Sequence, residues 1–423
     1  MTVFFDGPYK DYLTLGQEGP PPFYTNLLYL PWIFKPLYGF LSDWCFPFYF
    51  RVKGYSLIST FFNIILAFAG MAKVQSEYQS NQTLPSAWIF AILFCIYLNL
   101  AFIDAVCQGM TSITYRLENR LYEMKYGRKK ESFVFHYLIY MITRTIARPF
   151  FYLSSALLRN YYKDRFKELK IGFTGFAIVS LIFFIYSYCF FEELKQKTTI
   201  NKNTNLVNHL KKFGDCLRKD GTYKLVIFGL LIAINPSLSL DFSQMGTYVS
   251  AASPLALYIS NMWPGIVMAI ILGIMFKRTK SGLGDPDKYL YTSSLIVIAF
   301  IFLSWAIWML WQEVWSNLLL ASLSTMTNGL YLAVVIIMEV AVCLSNSEEG
   351  YESFTINGVV GLNNLGVNVS MYLSQGLQEY LDLRYYSLKS FTYVMGLSFE
   401  LAVLPFALAT YYLPRRIREK RDN

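Results

Sequence analysis

The chain has 423 residues, of which 55% are hydrophobic, 18% aromatic and 15% charged, with a net charge of +9. This apolar fraction is larger than a soluble globular protein can bury, so the composition excludes that class and indicates a polytopic membrane protein. The basic residues lie in short segments between apolar runs rather than on one continuous face. That distribution predicts a membrane-topology signal and argues against a nucleic-acid-binding surface.

Few of the side chains that carry catalysis or bind metals occur in the sequence. There are two histidines, His136 and His209, and the six cysteines are scattered, most of them within or beside apolar runs. We interpret the cysteines as small hydrophobic residues rather than as a disulfide frame or a metal site. Because the sequence has no glycine-rich phosphate loop and no nucleophile–base pair, we predict neither enzymatic activity nor a cofactor.

Apolar runs of about 20 residues recur along the chain and predict an all-α, polytopic transmembrane helical bundle. Five such spans come first, at 23–44, 55–72, 87–110, 133–158 and 171–191. Six more follow a polar stretch, at 223–245, 253–276, 289–311, 316–344, 354–373 and 391–413. The predicted organisation is an N-terminal helical half (1–191), a central polar linker (192–222) with a weakly amphipathic piece at 206–217, and a C-terminal half with a basic tail (223–423).

The lysines and arginines of the short loops set the predicted orientation. Most basic segments fall on one side of the membrane: the loop with Arg51 and Lys53, the segment 116–130, the central linker, the segment 277–280 and the tail 415–421. We assign this side to the cytoplasm or its organellar equivalent, and the segment 159–170 is the exception on the opposite side. The pattern fits a plasma membrane and an organellar inner membrane, mitochondrial or plastid, equally well.

Lys35 lies near the middle of the first predicted span, between Pro31 and Pro36. A lysine at that depth costs about 2.5 to 3.5 kcal/mol on insertion scales, so we expect a compensating group. One interpretation is that Lys35 faces a cavity and contacts a substrate. The other is that backbone carbonyls freed by the two prolines satisfy its ammonium group.

Polar residues in the third and fourth spans recur at helical spacing. Asp104 and Gln108 share a face of the third span with Tyr97, and the fourth span carries a stripe of His136, Tyr140, Arg144 and Arg148. Two arginines on one stripe suit an anion, which either could bind by bidentate hydrogen bonds, with Asp104 as a resting partner or proton carrier. The alternative is that Asp104 and an arginine form a buried structural pair.

Single acidic residues mark the second half. Asp241 follows Asn235-Pro236, which predicts a broken helix of the kind that lines cavities. We therefore rank Asp241 above Glu339 and Glu400, which we expect nearer to interfaces.

The first span also carries a long motif, Pro31-Trp32-Ile33-Phe34-Lys35-Pro36-Leu37-Tyr38-Gly39-Phe40-Leu41-Ser42-Asp43, followed by a basic loop with Arg51 and by Gly54-Tyr55. This motif resembles the Pro-Trp-x-x-Lys-Pro-Leu-x-Gly-x-x-Ser-Asp signature of the folate-biopterin transporter family, a branch of the major facilitator superfamily. Two later segments resemble that family as well: Ala101 to Asp104, and Glu352 followed by Gly361, Asn364 and Gly366. Gly39, Ser42 and Asp43 with the basic loop also form the pattern that locks neighbouring helices together at the cytoplasmic mouth of many transporters.

The resemblance implies a major-facilitator-like secondary transporter that moves folate, a pterin or a similar small anionic solute by alternating access, coupled to a proton or another ion. Together with the polar residues described above, it gives an expected substrate-binding set of Lys35, Asp104, Gln108, Arg144, Arg148, Asp241 and Glu352. The expected structural motif comprises Pro31, Trp32, Pro36, Gly39, Asp43 and Arg51.

Three departures from the family pattern favour a second hypothesis. The five-plus-six arrangement is one helix short of the six-plus-six plan of major facilitator transporters, and we interpret the missing first helix either as a truncation or as a real loss. Gln108 stands where the family usually has a second aspartate, and residues 345–350 read Ser-Asn-Ser-Glu-Glu-Gly instead of the usual Cys-Pro-x-Gly type. On this hypothesis the chain is a transporter-derived, non-transporting subunit of a larger membrane complex, such as an organellar respiratory assembly.

Overall fold

A computed structural model describes residues 27–80, 87–127, 139–143, 165–193, 205–219, 222–234, 270, 336–337, 339–340, 343–344, 346–348 and 350–380. Each regular element in these ranges is a helix, which confirms the predicted all-α class. The α-helices are α1 (Lys35–Trp44), α2 (Lys53–Gln79), α3 (Ala87–Tyr126), α4 (Arg165–Cys189), α5 (Leu206–Arg218), α6 (Thr222–Ala233) and α7 (Glu352–Tyr380). Short 3-10 helices at Leu30–Phe34 and Pro47–Tyr49 flank α1.

Three of the described helices are long and apolar enough to cross a bilayer: α2, α3 and the segment Phe166–Cys189 of α4. They coincide with the predicted spans 55–72, 87–110 and 171–191, and the protein is an integral, multi-pass membrane protein. Helix α6 covers the first half of the predicted span 223–245, whose residues 235–245 lie outside the described residues, and α7 covers the predicted span 354–373. The predicted spans 133–158, 253–276, 289–311, 316–344 and 391–413 lie wholly or mostly outside the described residues.

The first predicted span, 23–44, is not one continuous α-helix. Pro31 lies in the 3-10 helix Leu30–Phe34, and Pro36 is the second residue of α1. Proline lacks an N–H and has a fixed φ, so it suits the first turn of a helix and interrupts a helix interior. Pro36 therefore begins a new helix, and Lys35 becomes the first residue of α1.

Helix α3 continues well past the predicted end of its span at residue 110. Residues 111–126 contain neither glycine nor proline and are rich in good helix formers, so nothing in the sequence ends the helix there. At about 1.5 Å per residue, the 40 residues of α3 extend roughly 60 Å, twice the thickness of a bilayer core. The apolar pattern located the membrane-spanning part of α3 but not the end of the helix.

The core that positions these helices is formed by α2, α3 and α4. Its buried members are Leu28, Ala67, Val74, Ile89, Leu93, Ile96, Tyr97, Leu100, Leu169, Phe173, Phe176 and Ala177. Gly70 of α2 allows α4 to approach closely, because a Cβ at that position would overlap the ring of Phe173. The outward side of α4 exposes large apolar residues such as Ile178, Ile182 and Phe183, as expected for a face in contact with lipid.

Contacts group the described residues into two compact units. One lies within residues 1–114, 151–215 and 347–361, and the other within 115–150, 216–346 and 362–423. The first unit contains α1, α2, α4, the apolar part of α3, most of α5 and the first turns of α7. The second contains α6, the described residues of 336–346 and the remainder of α7.

Candidate functional site

A buried ion pair joins Lys35 to Asp104 in the first unit. The Nζ of Lys35, at the start of α1, donates to Oδ2 of Asp104 on α3. The side chain of Lys35 is 1% exposed and that of Asp104 is 19% exposed. Asp104 therefore compensates the charge of Lys35, a pairing that the sequence analysis did not make.

Gln108 lies beside this pair, one helical turn along α3. Its Nε2 is 3.5 Å from Oδ2 of Asp104. The side chain is fully buried, and its Oε1 has no hydrogen-bond partner among the described residues. Lys35, Asp104 and Gln108 thus bring together a cation, an anion and an amide acceptor, which is a suitable set for binding a small polar solute.

Aromatic rings hold the segment before Lys35 in place. The rings of Trp32 and Tyr29 both pack edge-on against the ring of Tyr97. The ring centroids are 6.0 Å apart for Trp32 and Tyr97 and 5.8 Å apart for Tyr29 and Tyr97. Tyr97 is 1% exposed and belongs to the core of α2, α3 and α4. The Trp32 of the motif therefore anchors the 3-10 turn that precedes α1.

A second polar cluster, which we call the α1–α7 lock, lies at the other end of α1. It consists of Asp43, Arg51 and the first turn of α7. The guanidinium Nη2 of Arg51 donates to Oδ1 of Asp43, and the backbone N–H of Phe354 donates to Oδ2 at 2.9 Å. Phe354 is the third residue of α7, so Asp43 caps that helix and places a negative charge at its positive end.

Small residues allow α7 to approach α1 and α3 at this point. A Cβ on Gly39 would lie 2.7 Å from the carbonyl oxygen of Ser353, and a Cβ on Gly109 would overlap the Ser353 side chain. Farther along α7, a Cβ on Gly361 would lie 2.7 Å from Cδ of Pro36. Close packing of α7 against α1 and α3 therefore requires glycine at positions 39, 109 and 361.

Direct hydrogen bonds supplement this packing. Ser42 Oγ donates to Ser353 Oγ at 2.9 Å, and Nδ2 of Asn357 donates to the carbonyl of Ala105 at 2.9 Å. Tyr55 donates its hydroxyl to the carbonyl of Cys45 at 2.8 Å and so helps to terminate α1. The helix-locking interpretation of the motif thus has a structural counterpart in named contacts.

Two linker residues that the sequence analysis missed extend the lock. The carboxylate of Glu193 accepts the backbone N–H groups of Arg51, Val52 and Lys53 at 2.9, 3.0 and 2.7 Å. Three convergent N–H donors form an anion-binding site at the start of α2. The polar composition of the linker gave no sign that one of its acidic residues would be held there.

The second linker residue that extends the lock is His209, on α5. Its imidazole is fully buried, its Nδ1 donates to the carbonyl of Asn205 at 2.9 Å, and its Nε2 lies 3.8 Å from Oδ2 of Asp43. The ring packs edge-on against Phe40 and Tyr351. The amphipathic piece predicted in the linker is therefore the helix whose histidine covers Asp43.

Glu352 lies in the lock. It is the first residue of α7, and its Oε2 accepts the backbone N–H of Gly350 at 2.9 Å. This hydrogen bond holds the turn that precedes α7, and a contact of Glu352 with substrate stays a prediction. Arg144, Arg148 and Asp241 lie outside the described residues, and among those described no group of three His, Cys, Asp or Glu could hold a metal ion.

No protein-family model matches this sequence, and no curated protein matches it by sequence. Solved structures do match over nearly the whole chain. The E. coli fucose:proton symporter FucP is 8% identical, with 97% of this chain and 94% of that chain covered and a TM-score of 0.64. The nucleoside transporter NupG is 14% identical, with 96% of each chain covered and a TM-score of 0.62.

The human organic anion transporter MFSD10 is 14% identical, with 96% of this chain and 89% of that chain covered and a TM-score of 0.60. FucP is a Major Facilitator Superfamily transporter. At these identities the likeness concerns the fold, so the chain has the major facilitator fold. The matches do not distinguish the folate-biopterin family from other branches of that superfamily.

Proposed function

We propose that the protein is a secondary transporter that moves a small anionic solute by alternating access. The observation that carries the proposal is the buried Lys35–Asp104 ion pair between α1 and α3. Ionisable residues within membrane spans are costly, and they typically mark a substrate or ion pathway. The shared fold supports the same class, since FucP, NupG and MFSD10 transport fucose with a proton, nucleosides and organic anions.

The chemistry of the pair suits an anionic solute. A solute carboxylate can replace Asp104 as the partner of Lys35, which frees Asp104 to take up a proton. The acceptor Oε1 of Gln108 can then bind an N–H or O–H group of the same solute. Folates and pterins are the first class to test, because the motif around Lys35 resembles that of folate-biopterin transporters.

The α1–α7 lock supports alternating access as the mechanism. The ion pair with Arg51, in the loop that follows α1, holds the Asp43 carboxylate where it caps α7, so separating α1 from α7 removes the cap while the ion pair can remain. We propose that the lock closes one mouth of the solute pathway and that it opens in each cycle. Arg144, Arg148 and Asp241 remain proposed substrate ligands, and Glu352 is proposed to act on the solute indirectly, through the lock.

Uptake of tritiated folic acid, and in parallel of labelled biopterin, by a folate-auxotrophic host tests the proposal. We expect uptake above a vector control, reduced at least about tenfold by Lys35→Gln, which removes the cation that binds the solute. Lys125→Gln is the matched control, because Lys125 is an exposed lysine near the end of α3. It should leave uptake unchanged.

Correctly inserted protein without uptake of either compound would contradict the proposal. Co-purification at a fixed ratio with a large membrane complex, together with absent uptake, is the result that the transporter-derived subunit hypothesis predicts. Uptake that is equal in Lys35→Gln and Lys125→Gln would exclude Lys35 from the binding site.

A further inference from the structure

The second unit contains another buried carboxyl group, that of Glu339. Its side chain is 0% exposed, and it lies in the described part of the predicted span 316–344. Two other elements meet it: α6 through Gly229 and α7 through Asn363. From the sequence alone, Glu339 ranks below Asp241 as a candidate cavity residue.

Position 229 must be glycine to leave room for this carboxyl group. A Cβ at position 229 would overlap Oε1 of Glu339, and it would lie 2.6 Å from the Cδ of Glu339 and 3.1 Å from Oδ1 of Asn363. Both oxygens therefore lie close to the backbone of α6 at Gly229. Any larger residue at position 229 would displace both side chains.

The hydrogen bonding of this pair is half complete. Nδ2 of Asn363 donates to Oε2 of Glu339. The other oxygens, Oε1 of Glu339 and Oδ1 of Asn363, are buried and have no hydrogen-bond partner among the described residues. A buried acceptor without a hydrogen-bond donor is destabilising, and both of these acceptors lie near Gly229.

We propose that Glu339 carries a proton on Oε1 and that Glu339 and Asn363 form a proton-binding site. One proton then satisfies both oxygens, because Oε1–H donates to Oδ1 while Nδ2–H donates to Oε2 in a reciprocal acid–amide pair. An ionised carboxylate at the same position would be a buried charge, and none of the described lysines, arginines or histidines forms an ion pair with it.

The surroundings of Glu339 add little that could stabilise a charge. Cys343 lies four residues farther along the chain, and its backbone carbonyl accepts a hydrogen bond from the thiol of Cys216 on α5 at 3.2 Å. In the described parts of α6 and α7, the groups that reach the carboxyl group are the backbone of Gly229 and the amide of Asn363.

Release of the proton would change the packing of α7. The O–H bond of Oε1 breaks, the proton passes to water, and the carboxylate then faces the partly negative Oδ1 of Asn363. The two side chains must then separate or the amide must turn, and their separation would move α7 relative to the segment that carries Glu339. A role for this proton in a transport cycle rests on the proposed function, whereas the binding of the proton by Glu339 does not.

Infrared spectroscopy of the full chain in lipid nanodiscs at about pH 8 tests the proton directly. At that pH ordinary carboxyl groups, with pKa values near about 4, are ionised. We expect one carbonyl-stretch band of a protonated carboxylic acid. The band should be absent in Glu339→Gln and present in Glu123→Gln, an exposed acidic residue on α3 that serves as the control.

Asn363→Leu provides a second readout should Glu339→Gln fold poorly. Loss of the acid–amide pair should move the band to higher frequency, and an unchanged frequency would contradict the proposal. Identical spectra for the wild type and Glu339→Gln would overturn it. A band that appears only after sodium is removed would overturn it in favour of a metal-cation site.

Discussion

Lys35 and Asp104 compensate each other's charge at a depth where neither charge would be stable alone. Because Lys35 is the more deeply buried partner, its charge depends more on the ion pair than the charge of Asp104 does. Removing one member of a buried pair leaves the other as an uncompensated charge, whereas removing both leaves none. The stability of variants should therefore be strongly non-additive.

We predict that Asp104→Asn lowers the free energy of unfolding by about 3 to 5 kcal/mol, because it leaves the ammonium group of Lys35 without its carboxylate. The double variant with Lys35→Met should lose much less. Thermal unfolding of the four proteins in nanodiscs gives the coupling free energy of the pair. Strictly additive losses would mean that the ion pair contributes no such coupling.

His209 gives the lock a predicted pH dependence. Burial lowers the pKa of His209 below its usual 6.5; the hydrogen bond to the Asn205 carbonyl opposes this shift, and the charge of Arg51 reinforces it. The folded protein then binds this proton more weakly than the unfolded chain does. Asp43 and Tyr351 are the other polar groups that face the ring.

Consequently, the free energy of unfolding should fall as the pH drops below about 6.5. Melting temperatures measured between about pH 7.5 and 5.5 should decrease more steeply for the wild type than for His209→Gln. A stability that instead rises on acidification, in a manner that requires His209, would mean that an ion pair with Asp43 outweighs burial.

At the scale of helices, two glycines of α7 form a matched pair. A Cβ at Gly361 would contact Pro36 of α1 at 2.7 Å, whereas a Cβ at Gly376 would meet nothing within 4 Å in the described structure. Both substitutions to alanine gain up to about 1 kcal/mol of helix propensity. Only Gly361→Ala also forces α7 away from α1.

We predict that Gly361→Ala destabilises the protein by up to about 2 kcal/mol, because the overpacking cost of about 1 to 3 kcal/mol is offset by a gain in helix propensity of only about 1 kcal/mol. Gly376→Ala should be neutral or stabilising. Melting temperatures of the two variants decide the point. Equal stability of both would contradict the close contact between α1 and α7.

The start of α2 offers a second matched pair, Glu193 and its exposed neighbour Glu192. We predict that Glu193→Gln weakens the cap on residues 51–53 by about 0.5 to 2 kcal/mol, since an amide accepts these N–H groups less strongly than a carboxylate. Hydrogen exchange at those amides should quicken in Glu193→Gln and not in Glu192→Gln. Unchanged exchange in both would mean that Glu193 does not hold this loop.

The helices were predictable from the sequence to the extent that local pattern determines them. Apolar runs located α2 and α4 because each is mainly a membrane span, and Pro31 and Pro36 explain why α1 begins at Lys35. The pairing of Lys35 with Asp104 was not predictable, because the two residues are 69 positions apart in the sequence and meet only if α1 and α3 have the right rotation about their axes. Glu193 and His209 were missed for the same reason, because nothing local distinguishes them from other linker residues.

At the scale of the whole molecule, the proposed transport activity makes two demands on the structure. A transporter must bind its solute within the membrane and must close its pathway on one side at a time. Lys35, Asp104 and Gln108 provide groups for the first task, and Asp43, Arg51 and the start of α7 provide contacts for the second. Glu339 adds a proton-binding site that can couple the two to an ion gradient.

Counterflow in proteoliposomes tests the central claim most directly, because it requires binding and alternating access but no driving gradient. Vesicles loaded with unlabelled folic acid are diluted into tritiated folic acid, and wild-type protein should accumulate the label transiently. Lys125→Gln and Glu339→Gln should also accumulate it, whereas Lys35→Gln should not. Label in wild-type vesicles no higher than in protein-free vesicles would contradict the account.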